Sequence, residues 1–359
     1  MRNGAKSFAP GRTPGADCAV HKFRAANYPE SLRVKRRPGD GRFVNLSGRE
    51  ARSIREVLKW KLGLGPHEAP HEAERNASDT PAPRVGPDLA RIREPEPDMI
   101  HLTWIGHATW LIQAGGAAFL TDPIFSDDCS PYPIPRIPRR VAPGVALADL
   151  PAIDAVLLSH GHYDHCDVAS LRALRSARVC AVPLGLGRLV RGCTPETEVV
   201  EAEWGERLDG GAAGAPFALT CVPAQHAAAR SAFDRNETLW CGWLIDAGGK
   251  RIYFAGDTGR AGFFGELGAW IGGVDVALLP IGAYRPRWFM ESVHCDPGEA
   301  VRIHRQLHAR RSLAMHWGTF DLTDEPLGEP PLALARAAAT AGLAPGEFTA
   351  IAVGETVVI

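Results

Sequence analysis

His160-Gly161-His162-Tyr163-Asp164-His165 follows directly on the apolar run Ala155-Val156-Leu157-Leu158-Ser159. Four of those six residues carry donors that bind metal, and neutral imidazoles with a carboxylate suit Zn²⁺ and similar first-row ions. The apolar run is short and bounded by Pro151 and Gly161, so it predicts a buried strand. Asp167 is a good helix N-cap, and the residues after it, Val168 to Leu174, place Leu171 and Leu174 on one helical face. The expected unit is strand, loop, helix, a junction that aims several side chains at one point. A lone histidine is more often structural, but four donors in six residues are hard to explain by packing.

Six residues cannot close two metal sites, so further donors should stand at other strand ends. Phe217 to Val222 is followed by Pro223-Ala224-Gln225-His226, and Arg251 to Ala255 by Gly256-Asp257-Thr258-Gly259. Ser312 to Met315 is followed by His316-Trp317-Gly318.

The 359-residue chain is 45% hydrophobic, enough for a large core in one or two domains. Its 40 basic and 41 acidic residues balance to −1, which gives no support to nucleic-acid binding. The eight cysteines (18, 129, 166, 180, 193, 221, 241, 295) form no C-x-x-C pair, so reduced thiols of a cytoplasmic protein are expected, even for Cys129, Cys166 and Cys295 beside the motifs. Met1 to Asp17 has no apolar stretch of the secretory kind. Nothing approaches the roughly 20 apolar residues of a membrane span. The expectation is a soluble chain, at most peripheral on a membrane.

Residues 1–40, rich in Arg, Lys, Gly and Pro, read as poorly ordered. Glu50 to Leu64 reads as a basic amphipathic helix, with Ile54, Val57, Leu58 and Leu62 against Arg52, Arg55, Lys59 and Lys61, and Trp60 beside them. Such a helix lies on an anionic membrane or, more commonly, packs on its own domain. Residues 65–98, with His67 and His71 in a near-repeat, read as a polar linker. The expected division is an N-terminal extension, 1–98, and a hydrolase domain, 99–359.

From residue 99 strand-like runs dominate: 101–105, 109–113, 117–120, 155–158, 178–182, 217–222, 239–245, 251–255, 274–279, 348–353 and 356–359. Helical patterns fall near 167–175, 184–191, 297–309 and 332–341. Sheets in the middle with helices outside are expected. Neither G-x-G-x-x-G nor a Walker sequence is present, so a nucleotide fold has no support.

These residues resemble the metallo-β-lactamase superfamily, an α/β fold built as a four-layer αβ/βα sandwich. Thr103-Trp104-Ile105-Gly106-His107-Ala108-Thr109, Leu120-Thr121-Asp122-Pro123-Ile124-Phe125 and Pro223-Ala224-Gln225-His226 resemble one branch of it. So do Ala255-Gly256-Asp257-Thr258-Gly259, Pro280-Ile281-Gly282-Ala283-Tyr284, Pro286-Arg287-Trp288-Phe289-Met290, His294 with Asp296-Pro297, and His316-Trp317-Gly318-Thr319-Phe320. That branch is the N-acyl-phosphatidylethanolamine-hydrolysing phospholipase D family with its bacterial relatives. The likeness covers roughly residues 99–345, with an echo at Arg42-Phe43-Val44-Asn45.

The resemblance implies two Zn²⁺ ions, with Fe or Mn as alternatives. His160, His162 and His226 would hold one, Asp164, His165 and His316 the other, and Asp257 would bridge them; Cys166 would not be a ligand. Asp122 is either a residue orienting the motif loop or a turn residue before Pro123. Asp164, Asp257 and His294 are the candidate catalytic residues, His294 through phosphate contact or proton transfer, with a buried structural role as its alternative. His107 is read as structural. Arg285 and Arg287 are either phosphate ligands or solvated surface residues. The implied reaction is attack of a metal-bound hydroxide on the phosphorus of a phospholipid, in the phospholipase D manner.

Two departures from the branch bear on the substrate. Ala227-Ala228-Ala229 stands where relatives often carry tryptophan, and Glu203 where a second tryptophan often precedes Trp204; losing an aromatic would widen the pocket. The proline-rich stretch Ser130 to Arg140 is also reshaped. A lactonase, another esterase or a small-phosphodiester hydrolase is therefore the second reading, and a non-enzymatic membrane-associated regulator the third. Candidate partners are a phospholipid or other phosphodiester, a membrane surface and a second copy of the chain.

Overall fold

The computed structural model describes residues 20–66, 68, 77–130, 136–174, 177–212 and 214–359. His67, His71, residues 1–19 and positions 131–135 of the proline-rich stretch lie outside the described residues. In chain order the strands are β1 (His21–Arg24), β2 (Lys35–Arg36), β3 (Phe43–Val44), β4 (His101–Gly106), β5 (Thr109–Ala114), β6 (Ala117–Thr121), β7 (Ala155–Leu157), β8 (Val179–Pro183) and β9 (Glu198–Ala202). There follow β10 (Glu206–Ala212), β11 (Ala215–Val222), β12 (Gly242–Ala247), β13 (Lys250–Phe254), β14 (Val274–Pro280), β15 (Ala309–Met315), β16 (Phe348–Thr349) and β17 (Thr356–Val358). The helices are α1 (Ile54–Lys61), α2 (Leu89–Arg93), α3 (Val168–Ala173), α4 (Gly187–Arg191), α5 (Phe264–Ile271), α6 (Arg287–Met290), α7 (Pro297–Gln306) and α8 (Glu329–Thr340).

One sheet runs β1-β10-β11-β12-β13-β14-β15-β16 and the other β17-β4-β5-β6-β7-β8-β9. Strand alternation explains the layering. In β5, Trp110 and Ile112 enter the core between the sheets, while Leu111 joins Leu120, Leu171 and Val190 beneath α2–α4. Both faces are thus buried, which is why these strands read as continuous apolar runs. Phe119 and Phe217 meet edge to face across the sandwich at 5.1 Å. With α5, α7 and α8 outside the first sheet, the expected four-layer αβ/βα sandwich is present.

The extension departs from expectation. Residues 20–40 are not loose: β1 pairs antiparallel with β10, and Tyr28 and Leu32 are buried. Burying those apolar side chains outweighs the charge that made the stretch read as disordered. Helix α1 packs on its own chain through Trp60, whose ring lies 5.0 Å from Phe289 and whose Nε1 donates to Asp324. Its Leu58 stays exposed, as do Leu62 and Leu64 after it.

Among the elements that escape a pattern reading are two strands and a helix. β9 and β10 carry Glu198, Glu201, Glu206, Gly210 and Gly211, which hide their alternation. α5 contains Gly268, where an added Cβ would lie 1.8 Å from the Gln306 carbonyl, so the close approach to α7 demands glycine at a cost in helical propensity. The run 239–245 is strand only from Gly242, because Leu239 and Cys241 donate instead to the carbonyls of Leu184 and Ser159 in the opposite half. Similarly, 348–353 keeps only Phe348–Thr349 as strand.

Candidate metal centre

Strand ends build the site. β6, β7, β11, β13 and β15 finish on the same edge of the sandwich, and the chain leaving them carries Asp122, the 160–165 motif, His226, Asp257 and His316. Asp167 caps α3 as expected, accepting from the backbone of Ala169 and Ser170, and this fixes where the motif loop ends. Three site residues hold left-handed backbone: His107 (φ 54°), Asp122 (φ 32°) and His316 (φ 61°). Each such position costs about 1–3 kcal/mol, and strain of this kind gathers at functional sites.

The structure brings all seven expected donors together. His160 Nε2 is 2.8 Å from His162 Nδ1, which is 3.3 Å from His226 Nε2. His165 Nε2 lies 3.1 Å from His316 Nε2 and 3.4 Å from Asp164 Oδ2. Asp257 reaches both sets: Oδ1 is 3.1 Å from His316 Nε2, and Oδ2 is 3.1 Å from His165 Nε2 and 3.7 Å from His226 Nε2. His294 Nδ1 is 3.9 Å from Asp257 and forms no hydrogen bond.

The tautomers decide what this cluster suits. His165 Nδ1 donates to Asp122 Oδ2 at 2.7 Å, and His226 Nδ1 donates to the Val293 carbonyl at 2.9 Å. His226 Nε2 thus turns a lone pair toward His162 Nδ1 and, through it, His160 Nε2. Lone pairs converging at about 3 Å repel unless a cation sits between them, so this set fits a divalent metal. On the other side the carboxylates raise His165 and His316, so those rings carry protons that a metal would displace.

Charge gives the same answer. Burial holds His160 well below the usual imidazole range, with His165, His162 and His226 adding to the effect, and pushes His162 down to about 4 and His226 to about 3. These are neutral rings, as ligation requires. Burial opposes ionisation of Asp164 and Asp257, yet the neighbouring histidines, His165 foremost, hold both well below the ordinary carboxylate range. The same carboxylates overcome burial at His316, raising it to about 9. His165 is raised by the same carboxylates, so the two aspartates hold positive charge on these two rings that a divalent metal can replace.

Around the donors, Asp122 settles one open question. It is fully buried and accepts from Ser159 N–H (2.7 Å), Ser159 Oγ (2.5 Å) and His165. It orients the motif rather than merely turning the chain. His107 stands nearer the donors than its sequence position suggests. It is buried in the β4–β5 turn, but its Nε2 contacts Asp164 Oδ2 at 2.9 Å and its ring lies 4.0 Å from that of His316. The Gly106-His107 turn gave no sequence signal for this, because the contact spans 57 residues. Ser159, Gln225 and Asn45 were also missed as supports. Cys166 is buried and belongs to none of the donor groups.

The two arginines are part-buried and each is held by a carboxylate. Arg285 Nε pairs with the fully buried Glu329 at 2.8 Å, and Arg287 pairs with Glu299 at 2.7 Å while donating to the His294 carbonyl. Both guanidiniums are engaged by local carboxylates, which gives each a structural role. Arg285→Ala is then expected to act on stability, costing about 3–5 kcal/mol by stranding Glu329, with KM little changed. A denaturant titration alongside steady-state kinetics reads both. Glu203, one of the two departures near Trp204, pairs with Arg24 of β1 at the sheet edge, away from the donors.

Known proteins are similar to this chain. The family model described as a beta-lactamase superfamily domain matches residues 117–317. An uncharacterised protein of Mycobacterium tuberculosis is 38% identical over 303 residues, spanning 81% of this chain and 76% of its own. The N-acyl-phosphatidylethanolamine-hydrolysing phospholipase D 1 of Caenorhabditis elegans is 39% identical over 237 residues, 64% of this chain and 67% of its own. Among solved structures, the isothiocyanate hydrolase from Delia radicum gut bacteria superposes with a TM-score of 0.55 at 22% identity, over 72% of this chain and 98% of its own. That last likeness concerns the fold alone.

Proposed function

Because the chain belongs to the metallo-β-lactamase superfamily, in the branch of the N-acyl-phosphatidylethanolamine-hydrolysing phospholipases D, and is a metal-dependent hydrolase, we propose that it cleaves a phosphodiester of the N-acyl-phosphatidylethanolamine kind. The observation that carries this reading is the complete set of five histidines and two aspartates converging at the strand ends. His160, His162 and His226 would hold one ion, and Asp164, His165 and His316 the other, with Asp257 within reach of both. Zn²⁺ is the first candidate, and Fe or Mn suit the same donors. The chemistry such cations supply is acidification of water and neutralisation of charge building on a phosphoryl oxygen.

The chain's own groups do the rest. Asp164 and Asp257, ionised in the site, accept the proton of the attacking water. The P–O bond to the N-acylethanolamine breaks as water oxygen bonds to phosphorus, giving phosphatidate, and the departing alkoxide takes the proton that the carboxylate received from the water. His294 has an unpartnered Nδ1 facing the centre, and it contacts the phosphate or relays that proton. Exposed Leu58, Leu62 and Leu64, flanked by Arg55, Lys59 and Lys61, support peripheral contact with an anionic membrane that presents such a substrate. No helix among the described residues is long and apolar enough to cross one.

Mass-spectrometric product analysis tests this. Metal-loaded protein incubated with N-acyl-phosphatidylethanolamine in mixed micelles should release phosphatidate and N-acylethanolamine. Chelator-stripped protein and Asp164→Asn should release neither. Absence of products from protein carrying two metals would overturn the substrate. One observation favours a second reading: Arg285 and Arg287 are spent on Glu329 and Glu299, leaving neither for a phosphate. Under it the same centre hydrolyses a lactone or another ester, and those substrates turn over instead.

A further inference from the structure

Residues 45–52 of the extension cross the loops that carry His226 and His294. Asn45 is 2% exposed, and its carboxamide takes both backbone edges of His226. Nδ2 donates to the His226 carbonyl at 2.8 Å, and Oδ1 accepts from His226 N–H at 3.1 Å. A neighbouring strand would make this pair of bonds; here one side chain makes it to a loop residue outside any ladder. Asn45 is itself fixed, its N–H donating to Glu50 at 3.0 Å and its Nδ2 also to the Arg49 carbonyl at 3.0 Å.

The residue before His226 is gripped in the same way. Gln225 accepts from Ser47 Oγ at 2.7 Å and donates to the carbonyls of Arg49 (2.8 Å) and Ser292 (2.9 Å). Ser292 and Val293 lead into His294, and the Val293 carbonyl sets the tautomer of His226. Arg49 and Arg52 add ion pairs to Glu291 at 3.2 and 3.5 Å. The network closes from the extension through the His226 backbone and ring to the His294 loop. Both side-chain amide atoms of Asn45 and of Gln225 are paired in it, which holds these two residues in one arrangement.

We infer that Asn45, supported by Ser47, is a positioning residue for the metal centre: the N-terminal extension sets the backbone of His226 and so the aim of its Nε2. The inference rests on His226 being a metal ligand. Hydrogen-bonding partners behind a ligand commonly govern metal affinity by about 10–100-fold.

The test is zinc binding by the full metal-free chain, titrated against a competing chelator, with bound metal counted by elemental analysis. Tyr28→Phe serves as control, since it removes a buried hydrogen bond to the Leu32 carbonyl within the same extension without touching His226. Wild type and Tyr28→Phe should bind two zinc ions with matching affinities. Asn45→Ala should weaken one of the two steps by about 10–100-fold. Asn45→Asp keeps the size and the acceptor but sets a carboxylate oxygen against the His226 carbonyl, so it should weaken the same step. If Asn45→Ala does not fold, Asn45→Asp and Ser47→Ala decide the matter. Zinc affinities unchanged in these variants overturn the positioning role while leaving His226 a ligand. A wild type that binds no zinc overturns both.

Discussion

Asp257→Asn is expected to lower kcat/KM by at least about 10³-fold, equivalent to roughly 4 kcal/mol of transition-state stabilisation, and to drop bound metal from two ions toward one. Asp257 is the carboxylate that lies within 4 Å of ring nitrogens from both histidine sets, His226 on one side and His165 with His316 on the other. It is 3% exposed, and its Oδ1 has no hydrogen-bond partner. A buried, ionised oxygen of that kind braces no backbone group, so its burial among ring nitrogens points to a role in the centre itself. Asparagine keeps the volume but offers one oxygen where two are used, and it carries no charge. Because the side chain braces no backbone, circular dichroism should stay that of wild type. Full turnover by Asp257→Asn would remove the bridging role and with it the two-ion reading.

Part of this centre was legible in the sequence for a simple reason. Donors on one loop, such as His160 to His165, stand together in the chain, and donors at other strand ends follow recognisable apolar runs. Asp257 and His316 were found that way. What the sequence hides is the contact that depends on tertiary approach. His107 meets Asp164 across 57 residues, and Asn45 meets His226 across 181. Neither residue sits in a pattern that names its partner. The arginines erred in the opposite direction: Arg285 and Arg287 looked free because Glu329 and Glu299, which neutralise them, lie 44 and 12 residues away. The fold shows the same divide. Apolar strands buried on both faces announced themselves, whereas β9 and β10, with charges and glycines, needed their neighbours to become visible.

Asp122→Asn is the substitution that should separate orientation from ligation. Asp122 presents two oxygens to three donors, Ser159 N–H, Ser159 O–H and His165 Nδ1–H, at 2.5–2.7 Å. An amide has one accepting oxygen and one NH₂. If its NH₂ takes the place of Oδ2, it faces His165 Nδ1–H, donor against donor. The ring escapes by moving its proton to Nε2, which then points N–H instead of a lone pair at His316 and Asp257. If the amide flips, the NH₂ faces the Ser159 N–H, and a buried backbone donor is left without an acceptor. Either outcome should cost about 1–3 kcal/mol of stability, and the first also removes a metal donor. The expected result is zinc affinity lower by about 10–100-fold at one site, with a lower unfolding midpoint even in the metal-free chain. Nitrogen chemical shifts of His165 report which ring nitrogen holds the proton. Wild-type affinity together with a Nδ1-protonated His165 in Asp122→Asn would show that the motif loop, and not Asp122, sets the aim of that ring.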